Sequence, residues 1–134
     1  MAIQTINPAT NQVTKTFEPH TAAEVAQMLK AADSAFHSWK KTGFEERARL
    51  MQHCAGILEQ EAEKYGRIIT LEMGKPLKDS IAEVQKCAKV CHYYAAHAAE
   101  FLKDEEVDST ASRSLIAYEP LGVVLAVMPW NFPF

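Results

Sequence analysis

Apolar residues recur at alternating steps of three and four along three stretches of the chain, between residues 21 and 102. This spacing places them on one face of an α-helix, which has about 3.6 residues per turn. The pattern therefore predicts three successive amphipathic helices, and the stripe position of Trp39 predicts that it is a core residue. Their stripes are Val25, Leu29, Ala32, Phe36 and Trp39 in the first; Met51, Cys54, Leu58, Ala62, Tyr65 and Ile69 in the second; and Ile81, Val84, Ala88, Cys91, Ala95, Ala98 and Leu102 in the third.

Polar residues mark where the first two helices begin. Thr21 and Glu24 have the spacing of a capping box, in which each side chain binds a backbone N–H that the first helical turn leaves unpaired. Gly43 is predicted to end the first helix, because glycine adopts a positive φ without a steric penalty. Thr42 and Glu45 repeat the capping-box spacing at the start of the second helix.

The sequence "MGKP" at residues 73–76 separates the second predicted helix from the third. Gly74 loosens the backbone, and Pro76 disfavours helix in the residue before it. Proline is tolerated in a first helical turn, so the third helix is predicted to start near Pro76. The stripe of that helix contains many small residues, which lets a neighbouring element approach closely.

Both ends of the chain depart from the helical period. Polar and apolar residues alternate on either side of "NPATNQ", where Asn7 and Asn11 have turn chemistry, and this predicts a short β-hairpin. Residues 103–112 are charged and small, as in a solvated loop. Residues 113–120 are predicted to form a strand that ends at Pro120.

The run from Val123 to Met128 is apolar without alternation. A strand that is apolar on both faces is typical of the middle of an α/β sheet. Leaving each such side chain exposed costs roughly 1.5–3 kcal/mol, so six of them cost roughly 9–18 kcal/mol, as much as the ~5–15 kcal/mol that stabilises a typical domain. We therefore expect the chain to be the front portion of a longer α/β enzyme. A terminal strand exchanged with a partner chain is the structural alternative.

Composition excludes several classes of protein. With 134 residues, 48% hydrophobic and 23% charged, the chain has the size and composition of one globular domain. A net charge of −3 provides no basic surface for nucleic acid or for an anionic membrane. The sequence shows neither a secretory signal nor an apolar run long enough to span a bilayer. Together with the odd number of cysteines, this predicts a cytoplasmic protein with reduced thiols.

Cys87, Cys91 and His92 are close enough along one helix to suggest metal ligands, but half of a four-ligand site is lacking. We interpret Cys87 and Cys91 as buried free thiols and predict no metal site. Cys54 also falls in an apolar stripe, so it is a poor candidate for a nucleophile.

The final residues, "PWNFPF", follow the apolar run at the end where open α/β sheets bind ligands. Pro129 and Pro133 stiffen the segment around Asn131. A neutral amide offers two N–H donors, which suits a fixed donor aimed at an oxygen that gains negative charge during a reaction.

These residues resemble NAD(P)-dependent aldehyde dehydrogenases. "EPLGVVLAVMPWNFPF" is similar to the segment that leads into the asparagine loop of that family, and the likeness extends over "INPAT", "AFHSW", "LEMGKPL" and "IAYEPLGV". "LEMGK", "CAKVCHYYA" and "LAVMPWNFPF" are most similar to the succinate-semialdehyde branch. The resemblance implies an aldehyde dehydrogenase-like α/β fold, represented by its N-terminal portion: hairpin, three helices, oligomerisation strand and the first strand of the Rossmann-type sheet.

The resemblance also implies a site. In the family a cysteine thiolate attacks the aldehyde, an asparagine amide donates to the resulting oxyanion, hydride passes to NAD or NADP, and a glutamate-activated water hydrolyses the thioester. The matching asparagine is Asn131, and the cofactor would contact Met128, Pro129, Trp130 and Asn131. A second interpretation of Trp130 is that it packs against the rest of the domain instead of contacting the cofactor.

The family's nucleotide loop, cofactor lysine, general base and nucleophile have no counterpart in these residues, so we expect the chain alone to be inactive. The resemblance divides it into 1–112, a hairpin and helical part of the cofactor domain; 113–120, a strand for homo-oligomer formation; and 121–134, the start of the nucleotide-binding sheet. The expected substrate is a small aldehyde, with succinate semialdehyde favoured. The alternative is a non-catalytic helical interaction module or subunit partner derived from the same family.

Overall fold

A computed structural model describes residues 2–134, which form two strands, then four helices, then two short strands. The elements are β1 (Ile3–Asn7), β2 (Gln12–Phe17), α1 (Ala22–Trp39), α2 (Phe44–Gln60), α3 (Ala62–Met73), α4 (Leu77–Phe101), β3 (Glu105–Glu106) and β4 (Leu115–Ile116).

The predicted N-terminal hairpin is confirmed. Strands β1 and β2 pair antiparallel, with a register shift between Thr5 and Ile6. Asn7 Oδ1 accepts a 2.9 Å hydrogen bond from the Ala9 N–H, and Asn11 has a φ of 57°. Both features follow from the ability of asparagine to bind nearby backbone and to tolerate left-handed geometry.

The start of α1 is confirmed, but its end and its burial differ from the prediction. The Glu24 N–H donates to Thr21 Oγ1 at 3.2 Å, and the Thr21 N–H donates to Glu24 Oε2 at 2.7 Å, which completes the capping box. The helix ends at Trp39, and Gly43 has a φ of −64°, so a left-handed glycine stop is wrong. No residue of α1 is buried, and Trp39 is 49% exposed, so its prediction as a core residue is also wrong.

The predicted second capping box is wrong as well. Gly43 occupies the N-cap of α2, and no side chain caps this helix. The Thr42 carbonyl oxygen instead accepts a 2.8 Å bond from Arg47 Nε, and the Lys40 carbonyl accepts from Arg47 Nη2 at 3.3 Å. The arginine fork therefore joins the α1–α2 connection to the first turn of α2.

The second predicted helix is divided into α2 and α3, which makes four helices. Glu61 lies between them with φ −105° and ψ 16°, outside helical values. Hydrogen bonds continue on both sides, because the Glu61 N–H donates to Ile57 O and the Tyr65 N–H donates to Glu61 O. The apolar period therefore continues across a break in the helical backbone at Glu61 that the sequence pattern does not predict.

Helix α4 packs against both α2 and α3. The buried cluster consists of Ala62, Ile69 and Val84, surrounded by Leu58, Tyr65, Met73 and Ile81. Gly66 is also buried, and its missing side chain lets α3 approach the Ile81 backbone on α4. Within "MGKP", Gly74 is the C-cap of α3. Its φ of 79° is the left-handed conformation that a glycine adopts without strain.

The C-terminal part has less regular structure than predicted. Only Leu115–Ile116 of the predicted strand 113–120 is paired, and its partner β3 lies in the predicted loop 103–112. Residues 123–128 form no strand, because within residues 2–134 no segment is hydrogen-bonded beside them. The same described residues contain no helix long and apolar enough to cross a bilayer.

Candidate functional site

Asn131 lies at the corner of a tight turn. The Phe132 N–H donates to the Pro129 carbonyl oxygen at 3.2 Å, so Trp130 and Asn131 occupy the two central positions. We call residues 128–134 the asparagine loop. Asn131 is exposed, and the turn sets the backbone direction at this residue.

Two charged side chains anchor the loop to the helical part. Lys75 Nζ donates to the Asn131 carbonyl oxygen at 3.5 Å, and Glu83 Oε1 accepts from the Phe134 N–H at 3.2 Å. Lys75 also lies over the Phe132 ring, 4.4 Å from its centroid, where the ring face attracts a cation. The loop is therefore held from the turn before α4 and from α4 itself.

Lys75 and Glu83 form an ion pair with each other, and both are shielded from water. The Lys75 side chain is 16% exposed and that of Glu83 only 3%. Sequence reasoning did not identify this pair. The available signal was Glu83 itself, a carboxylate that falls among the buried positions of α4 next to Val84.

Phe134 and Trp130 line a pocket of about 210 Å³ beside α3. The Phe134 and Tyr65 rings pack with centroids 5.4 Å apart. Trp130 lines this pocket and is still 65% exposed, so its side chain contacts the rest of the domain and also leaves surface open to solvent. A larger pocket, about 310 Å³, lies between α2 and α4, and none of its lining residues belongs to the asparagine loop.

The loop has the surface needed to contact a flat, partly apolar cofactor. Met128 is 61% exposed and Trp130 is 65% exposed, and both are apolar neighbours of Asn131 along the chain. Apolar walls with a few fixed polar groups are typical of cofactor sites. Met128, Pro129, Trp130 and Asn131 adjoin one another along the chain, and the structure presents them on one exposed turn.

The cysteines lie outside this loop, on α2 and α4. Cys87 and Cys91 are half-buried, so their predicted burial is only partial, and Cys54 is exposed despite its place in the apolar stripe. Burial, and then the nearby Glu83 carboxylate, raise the pKa of Cys87. Burial, and then the Cys54 thiol, raise the pKa of Cys91. Among residues 2–134, no group of three or more His, Cys, Asp or Glu side chains is placed to hold a metal ion.

Alkylation should report these raised pKa values. A raised pKa keeps each thiol protonated where a free thiol, with a pKa of about 8.5, already ionises. We expect iodoacetamide to modify Cys87 and Cys91 of the folded chain with a rate that rises at higher pH than in the unfolded chain. Peptide mass spectrometry after timed alkylation, with and without urea, measures both rates.

The same shift predicts that stability falls with pH. Above about pH 8.5 the unfolded chain releases the two thiol protons first, so rising pH favours unfolding until the folded thiols ionise. The Cys87→Ser, Cys91→Ser double variant should show a smaller loss of stability over this range. Both predictions rest on the raised pKa values of Cys87 and Cys91. If the alkylation rate has the same pH dependence in the folded and unfolded chains, both are contradicted.

Comparison with known proteins agrees with this architecture. A profile described as "Aldehyde dehydrogenase family" matches residues 1–134. A Synechocystis protein described as a probable succinate-semialdehyde dehydrogenase (NADP(+)) is 52% identical over 134 residues, which are 100% of this chain and 30% of that protein. The succinate-semialdehyde dehydrogenase (NADP(+)) of Mycobacterium leprae is 46% identical over 136 residues, covering 99% of this chain and 30% of that protein.

Solved structures show the same relationship. The crystal structure of a succinic semialdehyde dehydrogenase from Streptococcus pyogenes, in complex with NADP+ as the cofactor, superimposes with a TM-score of 0.92 at 37% identity. The match covers 97% of this chain and 29% of that one. The chain belongs to the aldehyde dehydrogenase family, and its predicted α/β fold class is confirmed. It spans about three tenths of the length of the relatives it matches.

Proposed function

We propose that this chain forms the N-terminal part, including the asparagine loop, of an NAD(P)+-dependent aldehyde dehydrogenase that oxidises succinate semialdehyde to the carboxylic acid. The observation that carries this proposal is the 52% identity over all 134 residues to the Synechocystis protein. NADP+ is the first cofactor to test, because the similar proteins from Synechocystis and Mycobacterium leprae are named for it.

Asn131 is proposed as a donor to the oxyanion. Addition of a thiolate to an aldehyde carbon turns the carbonyl oxygen into an alkoxide, which neutral N–H donors stabilise without taking part in proton transfer. The exposed amide at the corner of the Pro129–Phe132 turn supports this role, since its main chain is already held. Cys87 and Cys91 are not proposed as the nucleophile, because their raised pKa values oppose thiolate formation.

Met128, Pro129 and Trp130 are proposed to form one wall of the cofactor site. When bound, NAD(P)+ supplies the acceptor for the hydride that leaves the substrate carbon. The contribution of this chain is to present an apolar face and to exclude water beside the Asn131 amide, which strengthens the hydrogen bonds made there. The exposure of Met128 and Trp130 supports this assignment.

A hybrid enzyme tests the proposal. This chain would replace the matching 30% of the Synechocystis protein, and reduction of NADP+ and of NAD+ would be followed with succinate semialdehyde and with a shorter, uncharged aldehyde. The proposal expects activity with succinate semialdehyde as the better substrate. A hybrid that assembles but does not reduce either cofactor, together with a chain that co-purifies with the Synechocystis protein, would instead support the non-catalytic partner.

The proposed division of the chain and its assembly rest on the same relationship. Residues 1–112, 113–120 and 121–134 are proposed as the helical part, the oligomerisation strand and the start of the nucleotide-binding sheet of a cytoplasmic enzyme. Strand β4 supports the second assignment, because Ile116 is 49% exposed and the two-residue ladder with β3 leaves most of 113–120 unpaired. Unpaired strands of this kind favour pairing with another chain.

Replacing Ile116 by lysine should therefore weaken subunit association in the hybrid enzyme. A charge placed in an apolar subunit contact costs far more than one in water. Analytical ultracentrifugation at several concentrations would show a shift towards smaller species. Val107→Lys, at an exposed position outside 113–120, is the matched control. An unchanged mass distribution for Ile116→Lys would rule out this use of the strand.

A further inference from the structure

One charged unit contacts the main chain at Asn131, whose side chain is the exposed amide, and again three residues later at Phe134. Lys75 Nζ reaches the Asn131 carbonyl oxygen, Glu83 Oε1 reaches the Phe134 N–H, and the two side chains pair with each other. The turn before α4, the first half of α4 and the asparagine loop are thus joined through a single ion pair. Because the contacts use main-chain groups, the Asn131 side chain keeps its donors available for a ligand.

Fold stability alone does not explain this pair. The helix dipoles give Lys75 no clear advantage, because it follows the favourable C-terminus of α3 by two residues and precedes the unfavourable N-terminus of α4 by two. A buried ion pair also contributes little compared with apolar residues of the same volume, because removing both charges from water offsets their attraction. The polar contacts that distinguish Lys75 and Glu83 from such residues are those made to the loop.

We propose that Lys75 and Glu83 are positioning residues that hold the asparagine loop and thereby set the direction of the Asn131 amide. The catalytic consequence rests on the proposed function of Asn131, whereas the structural part concerns the chain itself. The contact between Lys75 and the Phe132 ring provides a third attachment on the same loop.

Hydrogen exchange of the chain tests the structural part. The Lys75→Met, Glu83→Met double variant removes both charges together, so neither is left buried without its partner. We expect the Phe134 amide to exchange about tenfold faster, the factor that one charge-assisted hydrogen bond supports. The Ile69 and Val84 amides in the core should keep their protection, and NMR resolves all three positions.

Two further variants serve as controls. Lys103→Met with Glu100→Met removes an exposed pair of 2.6 Å at the far end of α4 and should leave Phe134 exchange unchanged. Lys75→Arg keeps the positive charge and should retain most of the protection at Phe134. If the double variant exchanges like the unsubstituted chain, or if the core loses protection together with the loop, the proposal is overturned.

The hybrid enzyme separates this inference from the proposed function. If both hold, the double variant lowers the acylation rate by a larger factor than it raises the KM for the cofactor. An unchanged acylation rate in the double variant, where Asn131→Ala lowers it, overturns the positioning role in catalysis. A third outcome is that neither the double variant nor Asn131→Ala changes the acylation rate, while the double variant still accelerates exchange of the Phe134 amide. The anchoring of the loop by Lys75 and Glu83 is then supported, and the proposed role of Asn131 fails.

Discussion

Alanine in place of Asn131 is expected to slow acyl-enzyme formation in the hybrid enzyme by about 10²–10³-fold, the loss observed when one oxyanion donor is removed. This corresponds to about 2.7–4 kcal/mol of transition-state stabilisation. The effect should fall on the chemical step, because the amide is needed only once negative charge develops on the substrate oxygen. Stopped-flow measurement of the first turnover isolates that step.

Two observations make this prediction specific. Asn131 is exposed and its loop is held through main-chain contacts, so removing the side chain leaves the turn and its anchors in place. The dissociation constant for NADP+ should therefore stay close to that of the unsubstituted hybrid. Asn131→Asp, which has the same shape but carries a negative charge, should be slower still, because it repels the oxyanion. Equal first-turnover rates for Asn131→Ala and the unsubstituted hybrid would remove Asn131 from the mechanism.

Replacing Gly66 by alanine is expected to destabilise the chain by about 1–3 kcal/mol, the usual cost of adding volume to a packed core. A Cβ at this position would lie 2.8 Å from Ile81 Cγ1, 3.0 Å from the Ile81 nitrogen and 3.2 Å from its Cα. Two of these three atoms are backbone, so rotation of the Ile81 side chain would not relieve the contact. Urea unfolding followed by far-UV circular dichroism measures the change in free energy.

Gly56 provides the matched control on α2. A Cβ built there meets no atom within 4 Å. Gly56→Ala should therefore stabilise the chain by roughly 0.5–1 kcal/mol, since glycine in a helix interior loses more backbone entropy than alanine. If the free energy of unfolding falls for Gly66→Ala and rises for Gly56→Ala, the close approach of α3 and α4 at Gly66 is what excludes a side chain there. A stability change of the same sign and size at both positions would contradict it.

The Gly66 contact also bears on the site. Helices α3 and α4 meet at the "MGKP" turn, and the Lys75–Glu83 pair joins that turn to α4. Pushing the helices apart should weaken the anchors of the asparagine loop as well as the core. Faster exchange of the Phe134 amide in Gly66→Ala, and not in Gly56→Ala, would show this coupling.

Residues close together along the chain determined what could be predicted. The capping box of Thr21 and Glu24 and the turn chemistry of Asn7 and Asn11 act within four residues, and all appear as expected. Asn131 was singled out because two prolines flank it, and the structure places it at the corner of a hydrogen-bonded turn. Thr42 and Glu45 show the limit of such signals, because Arg47 binds the Thr42 carbonyl and no side chain caps α2.

Contacts between distant parts of the chain account for what the sequence missed. The bond from the Phe134 N–H to Glu83 joins residues 51 positions apart, and no local pattern encodes such a pairing. The exposure of Trp39 and the division of the second helix at Glu61 also depend on how whole helices pack. A stripe at helical spacing shows which side chains share a face, but it does not specify which element covers that face.

The sequence by itself therefore determined the α/β class, the hairpin and the positions of the helical stretches, and it singled out Asn131 as the proposed oxyanion donor. Only the tertiary structure decided the four-helix arrangement, the close contact at Gly66 and the anchoring of the asparagine loop by Lys75 and Glu83. The physical reason is range: capping and periodicity are set by neighbours within one or two turns, whereas burial and ion pairing depend on groups brought together only when the chain folds.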